Sequence, residues 1–243
     1  MTDATSTAVL LVAGMGSRLR PLTDEVPKAL IHVNGCSMLE RAVTALCSKG
    51  VRRFVFATGY REEAVRSAVE AMGIDAAFCH NPRYDVTQNS ISLLYCRHEL
   101  EGRGFYKLDG DVLFDGEIID RLARGAEPLV VATDGVRALD TEAMKVVISQ
   151  DRRIARFGKA IPVVEAHGES IGIERIDSTI SKDLFNAIAT FDRVGIVDRY
   201  YEDIYSELID AKTIAACAVE VGDLRWSEVD NQDDLARASA QFA

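Results

Sequence analysis

The sequence predicts an α/β fold in which a mostly parallel mixed sheet is covered on both faces by helices. Two observations carry this. Through the first half of the chain, short continuous apolar runs alternate with segments whose apolar residues recur at helical spacing, the rhythm of β-α-β units. From about Glu127 the rhythm gives way to apolar runs joined by short polar turns, which predicts a smaller antiparallel element added to the sheet.

Residues 8–13 (AVLLVA) are unbroken apolar and stop at a glycine-bearing turn, so they read as a first buried strand. Residues 38–46 have helical spacing, and 53–58 (RFVFAT) are apolar again, completing one β-α-β unit. A helix at 61–72, a strand at 74–80, a helix at 90–98 and a strand at 104–108 follow. Beyond Glu127, strands are expected at 129–133 and 145–149, and 152–157 returns across a polar turn at Gln150 and Asp151. A strand at 172–176, helices at 181–191 and 199–211, a strand at 215–221 and a helix at 232–241 complete the chain, with Asp230 or Asn231 placed to cap the last helix. No linker, repeat or low-complexity stretch interrupts it, so 1–243 reads as one Rossmann-like domain. Ligands of such a fold bind beyond the carboxyl ends of the strands.

Composition narrows the function. With 48% hydrophobic and 27% charged residues in 243, the chain can bury a large core. No run approaches the ~18 apolar residues of a membrane span. Residues 1–8 are polar, with no basic stretch ahead of an apolar one, and the expectation is a cytoplasmic protein with no membrane insertion. Lys and Arg total 28 against 38 Asp and Glu, a net charge of −10, which argues against nucleic acid as a partner. An anionic ligand therefore needs a local basic site or a metal. The five cysteines are odd in number and form no CxxC pair, and the four histidines lack helical metal-pair spacing. Neither a disulfide framework nor a zinc site is expected.

The loop after the first strand reads Gly14-Met15-Gly16-Ser17-Arg18-Leu19-Arg20-Pro21-Leu22-Thr23, with Pro27-Lys28-Ala29-Leu30 beyond it. Two glycines let backbone N–H groups approach a phosphate, and Arg18 and Lys28 supply charge to hold it. Leu19 stands where a dinucleotide-binding GxGxxG needs its third glycine, and GxxxxGK[ST] is absent. The longer pattern, LVAGxGxRLxPxT followed by PKxL, resembles the signature of the sugar-phosphate nucleotidyltransferases, which join a nucleoside triphosphate to a phosphate monoester and release pyrophosphate.

That resemblance implies roles for particular residues. Leu11, Ala13, Gly14 and Gly16 line the nucleotide site, and Arg18 and Lys28 neutralise charge on the triphosphate. Residues 1–125 become mainly the nucleotide-binding half and 126–243 mainly the acceptor-binding half. Gly110-Asp111 follows a strand end, and Trp226-Ser227-Glu228-Val229-Asp230 resembles the family's WxE[IV]D segment. Asp111 and Asp230 become the ligands of Mg²⁺, a hard ion suited to carboxylate oxygens. Taken singly, Asp111 is also compatible with a turn and Asp230 with a helix cap; Asp109 is a candidate helper.

Further segments, among them Thr87-Gln88-Asn89-Ser90-Ile91-Ser92-Leu93, Met144-Lys145-Val146-Val147, Gly168-Glu169-Ser170-Ile171-Gly172 and Tyr200-Tyr201-Glu202-Asp203, resemble the branch of phosphocholine, 2-aminoethylphosphonate and inositol-1-phosphate cytidylyltransferases. The branch implies CTP. Gln88 and Asn89 can both donate and accept, as the edge of cytosine requires, and Ser92 suits base or ribose, although helix capping serves these residues equally. Lys145 and Lys159 are expected to orient the acceptor phosphate or phosphonate. Glu169, Tyr200, Tyr201 and Glu202 offer carboxylates and aromatic faces to an amine, but successive helical residues cannot all face one pocket. The expected activity is Mg²⁺-dependent transfer of CMP from CTP to a small phosphorylated or phosphonate acceptor. A hexose-1-phosphate or inositol-1-phosphate nucleotidyltransferase and a non-catalytic nucleotide-sensing subunit stay open, as does a homodimer.

Overall fold

The computed structural model describes residues 5–243, so the polar opening at 1–8 lies partly outside the described residues. The chain runs β1 (Thr7–Leu11), a hairpin of β2 (His32–Val33) and β3 (Cys36–Ser37), α1 (Met38–Ser48), β4 (Arg53–Thr58), α2 (Glu62–Ala71) and β5 (Asp75–His80). It continues through α3 (Asn89–Tyr95), α4 (Arg97–Leu100), β6 (Phe105–Asp109), β7 (Val112–Phe114), α5 (Glu117–Ala123), β8 (Leu129–Asp134), β9 (Lys145–Ile148) and β10 (Ile154–Gly158). The remainder is β11 (Gly168–Ile176), α6 (Ser178–Arg193), α7 (Tyr201–Asp210), β12 (Ala216–Glu220), β13 (Trp226–Glu228) and α8 (Gln232–Gln241).

Nine strands form the main sheet, in the order β10-β9-β11-β6-β1-β4-β5, with β8 pairing β11 and β12. β1 lies parallel to β4 and β6, and β4 parallel to β5, as the β-α-β rhythm predicts. β11 runs antiparallel to β6, β8 and β9, and β9 to β10, so the second half does add an antiparallel element. Because side chains alternate along a strand, β1 sends Val9 to one face and Ala8 and Leu10 to the other. Val9 joins Leu93, Leu184, Phe185 and Tyr205 from α3, α6 and α7. Ala8 and Leu10 join Leu39, Val65, Val69 and Ile118 from α1, α2 and α5. Both faces of the sheet are thus covered. Among the described residues no helix is long and apolar enough to cross a membrane.

Some elements depart from the sequence reading. The helix expected at 90–98 is two, because Cys96 sits at φ −84°, ψ 0° and bonds back three residues to the Leu93 carbonyl, which turns the chain. The strand expected at 172–176 begins at Gly168. Gly168 and Gly172 both have positive φ, and the register of β11 against β8 shifts between Ser170 and Glu174, a bulge that no periodicity reveals. The antiparallel pair of β7 and β13 and the hairpin of β2 and β3 are too short for any periodic signal. α5 was absent from the reading.

Capping decides how two charged residues are used. Asn231 caps α8 by accepting from the Asp234 N–H at 3.0 Å, and Asp234 accepts in return from the Asn231 N–H. Asp230 is thereby free of capping duty. Beneath it, Leu19, Val33 and Val229 share a small third core with Met38 and Ala238, which ties the glycine loop to the C-terminal segment.

Candidate active site

At the carboxyl ends of β1 and β6 lies a cavity of about 540 Å³. The glycine loop forms one wall. Gly16 sits at φ +62°, and a Cβ there would come within 2.8 Å of Lys28 Cβ, so the loop closes against the lysine only because this residue is glycine. Thr23 Oγ1 donates to the Gly16 carbonyl at 2.8 Å. One 3-10 turn, Ser17–Leu19, follows; Leu19 is fully buried and Arg18 points outward, half exposed.

The acidic floor comes from two distant segments. β6 delivers Asp109, and Gly110 crosses under β1 so closely that a Cβ would sit 2.7 Å from the Leu11 carbonyl oxygen. Asp111 follows. β13 is held to β8 by Trp226, whose indole N–H donates to Asp134 at 2.7 Å, and it delivers Glu228 and then Asp230. Lys28 Nζ bridges the two segments, donating to Asp111 Oδ2 at 2.5 Å and to Asp230 Oδ1 at 2.6 Å, while Arg18 donates to Asp230 Oδ2 at 2.6 Å.

Electrostatics follow from this crowding. Burial works against the charge on Lys28, but Asp111 and Asp230 outweigh it and hold the ammonium well above its ordinary range. Burial likewise would raise Asp230; Lys28 and Arg18 reverse that and keep its carboxyl low. Glu228 keeps an exposed surface, yet its carboxyl is pushed up to about 8 by desolvation in the cleft and by Asp111 and Asp230 beside it.

Asp111, Glu228 and Asp230 each offer an oxygen within 4.8 Å of the others, and Asp111 Oδ1 is buried without a hydrogen-bond partner. Three convergent carboxylates and an orphaned oxygen fit a hard divalent cation such as Mg²⁺. Glu228 was missed as a ligand candidate, although it stands inside the quoted tryptophan segment two residues before Asp230.

Gln88, Asn89 and Ser92 line the same cavity from the start of α3. Gln88 occupies the helix N-cap position but makes no capping bond with its side chain. Ser92 Oγ accepts from Asn81 Nδ2 at 3.0 Å and keeps its own proton to donate, while Asn89 Oδ1 accepts from the Tyr201 N–H at 3.2 Å. The opposite wall carries Lys159, Glu169, Tyr200 and Glu202, with Lys159 Nζ 5.0 Å from the Tyr200 ring centroid. Burial raises the Glu169 carboxyl to about 7 and the Glu202 carboxyl to about 8.

Leu11, Ala13, Gly14 and the remaining site residues read from the sequence also line this cavity, with two exceptions. Lys145 is buried, and its ammonium is taken up by the backbone carbonyls of Thr141, Ala143 and Lys159 at 3.4, 3.2 and 2.9 Å, so it lies behind the cavity wall and does not line the cavity. Tyr201 is wholly buried beneath the floor, its hydroxyl donating to Asp109 Oδ2 at 2.7 Å. Tyr200 is the extended residue that precedes α7, and Glu202 lies about 100° round the helix from Tyr201, so these two reach the cavity while Tyr201 turns into the core.

Residues 8–193 match the family model of the MobA-like NTP transferase domain. The chain belongs to that family. The nucleotidyltransferase resemblance read from the glycine loop is thereby met. The MobA-like chain is 29% identical over 248 residues to the CMP-5'-(3-aminopropyl)phosphonate synthase of Streptomyces rubellomurinus, covering 97% of itself and 38% of that protein. It therefore spans well under half of that relative's length. It is 23% identical to the CTP:phosphoglutamine cytidylyltransferase of Campylobacter jejuni, over 94% of this chain and 97% of the relative. The inositol-1-phosphate CTP transferase of T. maritima has the same fold, with a TM-score of 0.83 at 21% identity over 99% of this chain and 97% of the other.

Proposed function

We propose that the protein transfers CMP from CTP to a small phosphate monoester or phosphonate and releases pyrophosphate. The observation that carries this reading is that one cavity gathers the glycine loop, the Lys28 bridge between Asp111 and Asp230, the hydrogen-bonding edge of Gln88 and Ser92, and an acidic and aromatic wall. CTP is favoured by the likeness to the CMP-5'-(3-aminopropyl)phosphonate synthase and the CTP:phosphoglutamine cytidylyltransferase, which match this chain almost from end to end.

In this reading an acceptor oxygen attacks the α-phosphorus in line, a bond forms to it, and the bond to the pyrophosphate oxygen breaks. No protein nucleophile is needed. Backbone N–H groups at Gly14 and Gly16 and the charges of Arg18 and Lys28 hold the triphosphate and offset charge on the leaving pyrophosphate. Asp111, Glu228 and Asp230 would hold Mg²⁺, which when bound supplies charge neutralisation at the phosphates. Gln88, Asn89 and Ser92 read the base or ribose. Lys159 faces the acceptor phosphate, and Glu202, Glu169 and Tyr200 face its amine, which makes phosphocholine and 2-aminoethylphosphonate the favoured acceptors. Glu202 supports this most directly, since its Oε2 is buried without a partner in the cavity wall.

The test is pyrophosphate release by purified protein with Mg²⁺, crossing CTP, UTP, ATP, GTP and dTTP with phosphocholine, 2-aminoethylphosphonate, inositol-1-phosphate and glucose-1-phosphate. Turnover confined to CTP and an amine-bearing acceptor is expected. Turnover with another nucleotide and a sugar phosphate overturns the base and acceptor assignments. Tight CTP binding with no turnover on any acceptor favours a sensing role instead.

A further inference from the structure

We propose that Lys107 is a positioning residue for the acceptor side of the reaction: its buried ammonium, anchored by Glu174 and seated on the ring of Tyr201, fixes the Asp109 carboxylate at the cavity floor. The inference rests on the cytidylyl-transfer reading above and assigns work to residues which that reading does not use.

Strand alternation puts Lys107 and Asp109 on the same face of β6, and Glu174 stands directly opposite Lys107 in the pairing of β6 with β11. Lys107 and Glu174 have no exposed surface at all. Lys107 Nζ lies 2.9 Å from Glu174 Oε2, 3.2 Å from Asp109 Oδ1 and 3.4 Å from the centroid of the Tyr201 ring. The Tyr201 hydroxyl takes the other Asp109 oxygen. Both oxygens of Asp109 are therefore gripped, one from the sheet and one from α7.

The bulge in β11 completes the grip. Gly172, at φ +75°, approaches Asp109 so closely that a Cβ would lie 2.5 Å from Oδ2. Without the ammonium, Asp109 Oδ1 would lose the cation that now lies 3.2 Å from it and would be free to turn away from that position. Packing does not require a cation here, because a buried ion pair is commonly replaced by apolar side chains of like volume without loss of stability. What an apolar replacement cannot do is aim a carboxylate.

The experiment compares the wild type, the double variant Lys107→Met with Glu174→Gln, and Tyr201→Phe, using CTP with phosphocholine or 2-aminoethylphosphonate, whichever the wild type turns over. Thermal unfolding establishes that each variant folds. The expected result is a KM for the acceptor raised about 10-fold to 10²-fold in the double variant and less in Tyr201→Phe, with the KM for CTP within about twofold of wild type. Acceptor KM unchanged in both variants, or both KM values rising together, overturns the proposal and leaves the pair a structural one. Should the double variant fail to fold, Tyr201→Phe decides alone, since it keeps the ring under the ammonium and removes only the hydroxyl on Asp109. A wild type silent with both acceptors overturns the amine-acceptor reading beneath it, which is a separate outcome.

Discussion

Arg18 and Asp230 stand 212 positions apart and meet at 2.6 Å. Lys28 reaches the same carboxylate, so Asp230 gathers both cations of the glycine-loop wall while Asp111 shares the lysine from the other side. Arg18 is more than half exposed, and ion pairs of that kind contribute about 0–1 kcal/mol to stability. That pair is thus a poor explanation for folding, whereas the Lys28 pairs are mostly buried.

Asp111→Asn and Asp230→Asn should each lower turnover by about 10³-fold or more while the chain still folds, with a melting temperature lowered because Lys28 loses one of its two countercharges. Steady-state pyrophosphate release and calorimetry check both halves. Chelation with EDTA should abolish turnover and added Mg²⁺ restore it. Near-normal rates in either variant would remove that carboxylate from the metal site.

Lys145→Met should act on the wall behind which the lysine lies. Three backbone carbonyls lose a charged donor, at a cost of about 1–3 kcal/mol in urea unfolding. Because one of them belongs to Lys159, the acceptor KM should rise more than the KM for CTP. Equal effects on the two substrates would mean that Lys145 only stabilises.

Gly16→Ala combines an unfavourable φ with a Cβ that presses on Lys28. The expected outcome is a loss of about 1 kcal/mol in stability and a KM for CTP raised about tenfold. Gly14→Ala is the control for stability, since no atom lies within 4 Å of its added Cβ and its φ is ordinary. Equal stability losses in the two variants would discount the strained turn.

Stability should fall as pH rises from about 4.5 to 8. Burial raises the carboxyl of Glu174 to about 7 and that of Glu202 to about 8, against an ordinary 4.5, with Lys107 opposing and Asp109 adding to the rise. The other ionisable groups packed around them are Tyr201 and Tyr205 of α7, both held protonated by burial. Between the ordinary and raised values the native chain holds more protons than the unfolded one, so each unit of pH favours unfolding; above the raised values the effect levels off. Glu202→Gln, which cannot titrate, should flatten the slope in calorimetry between pH 5 and 9. A wild-type melting temperature that is level over that range counts against the raised values.

Much of the parallel half was legible because strands such as β1 and β4 are mostly apolar runs and helices such as α1 carry a stripe, as at Leu39, Ala42, Val43 and Leu46, although α5 escaped. The glycine loop was legible because a close backbone approach demands glycine, and Asp111 and Asp230 were picked out because Asp111 follows a strand end and the Trp226–Asp230 segment resembles the family's. What escaped is what sequence spacing does not encode. Glu174 lies 67 positions from Lys107 by their numbers and meets it only through strand register. Glu228 looks like one more acidic residue until β13 pairs with β7 and turns it toward Asp111. Lys145 was assigned to the acceptor because lysine suits a phosphate; its three carbonyl partners come from loops whose course the sequence does not reveal.

The short pairing of β7 with β13 also orders events during synthesis. The ribosome has made the glycine loop, Asp111 and every strand of the main sheet before it reaches Trp226. A nascent chain halted there holds half of its acidic floor and lacks Glu228 and Asp230. If the proposed site is right, a chain cut just before Trp226 should release no pyrophosphate even though every strand of the main sheet is present.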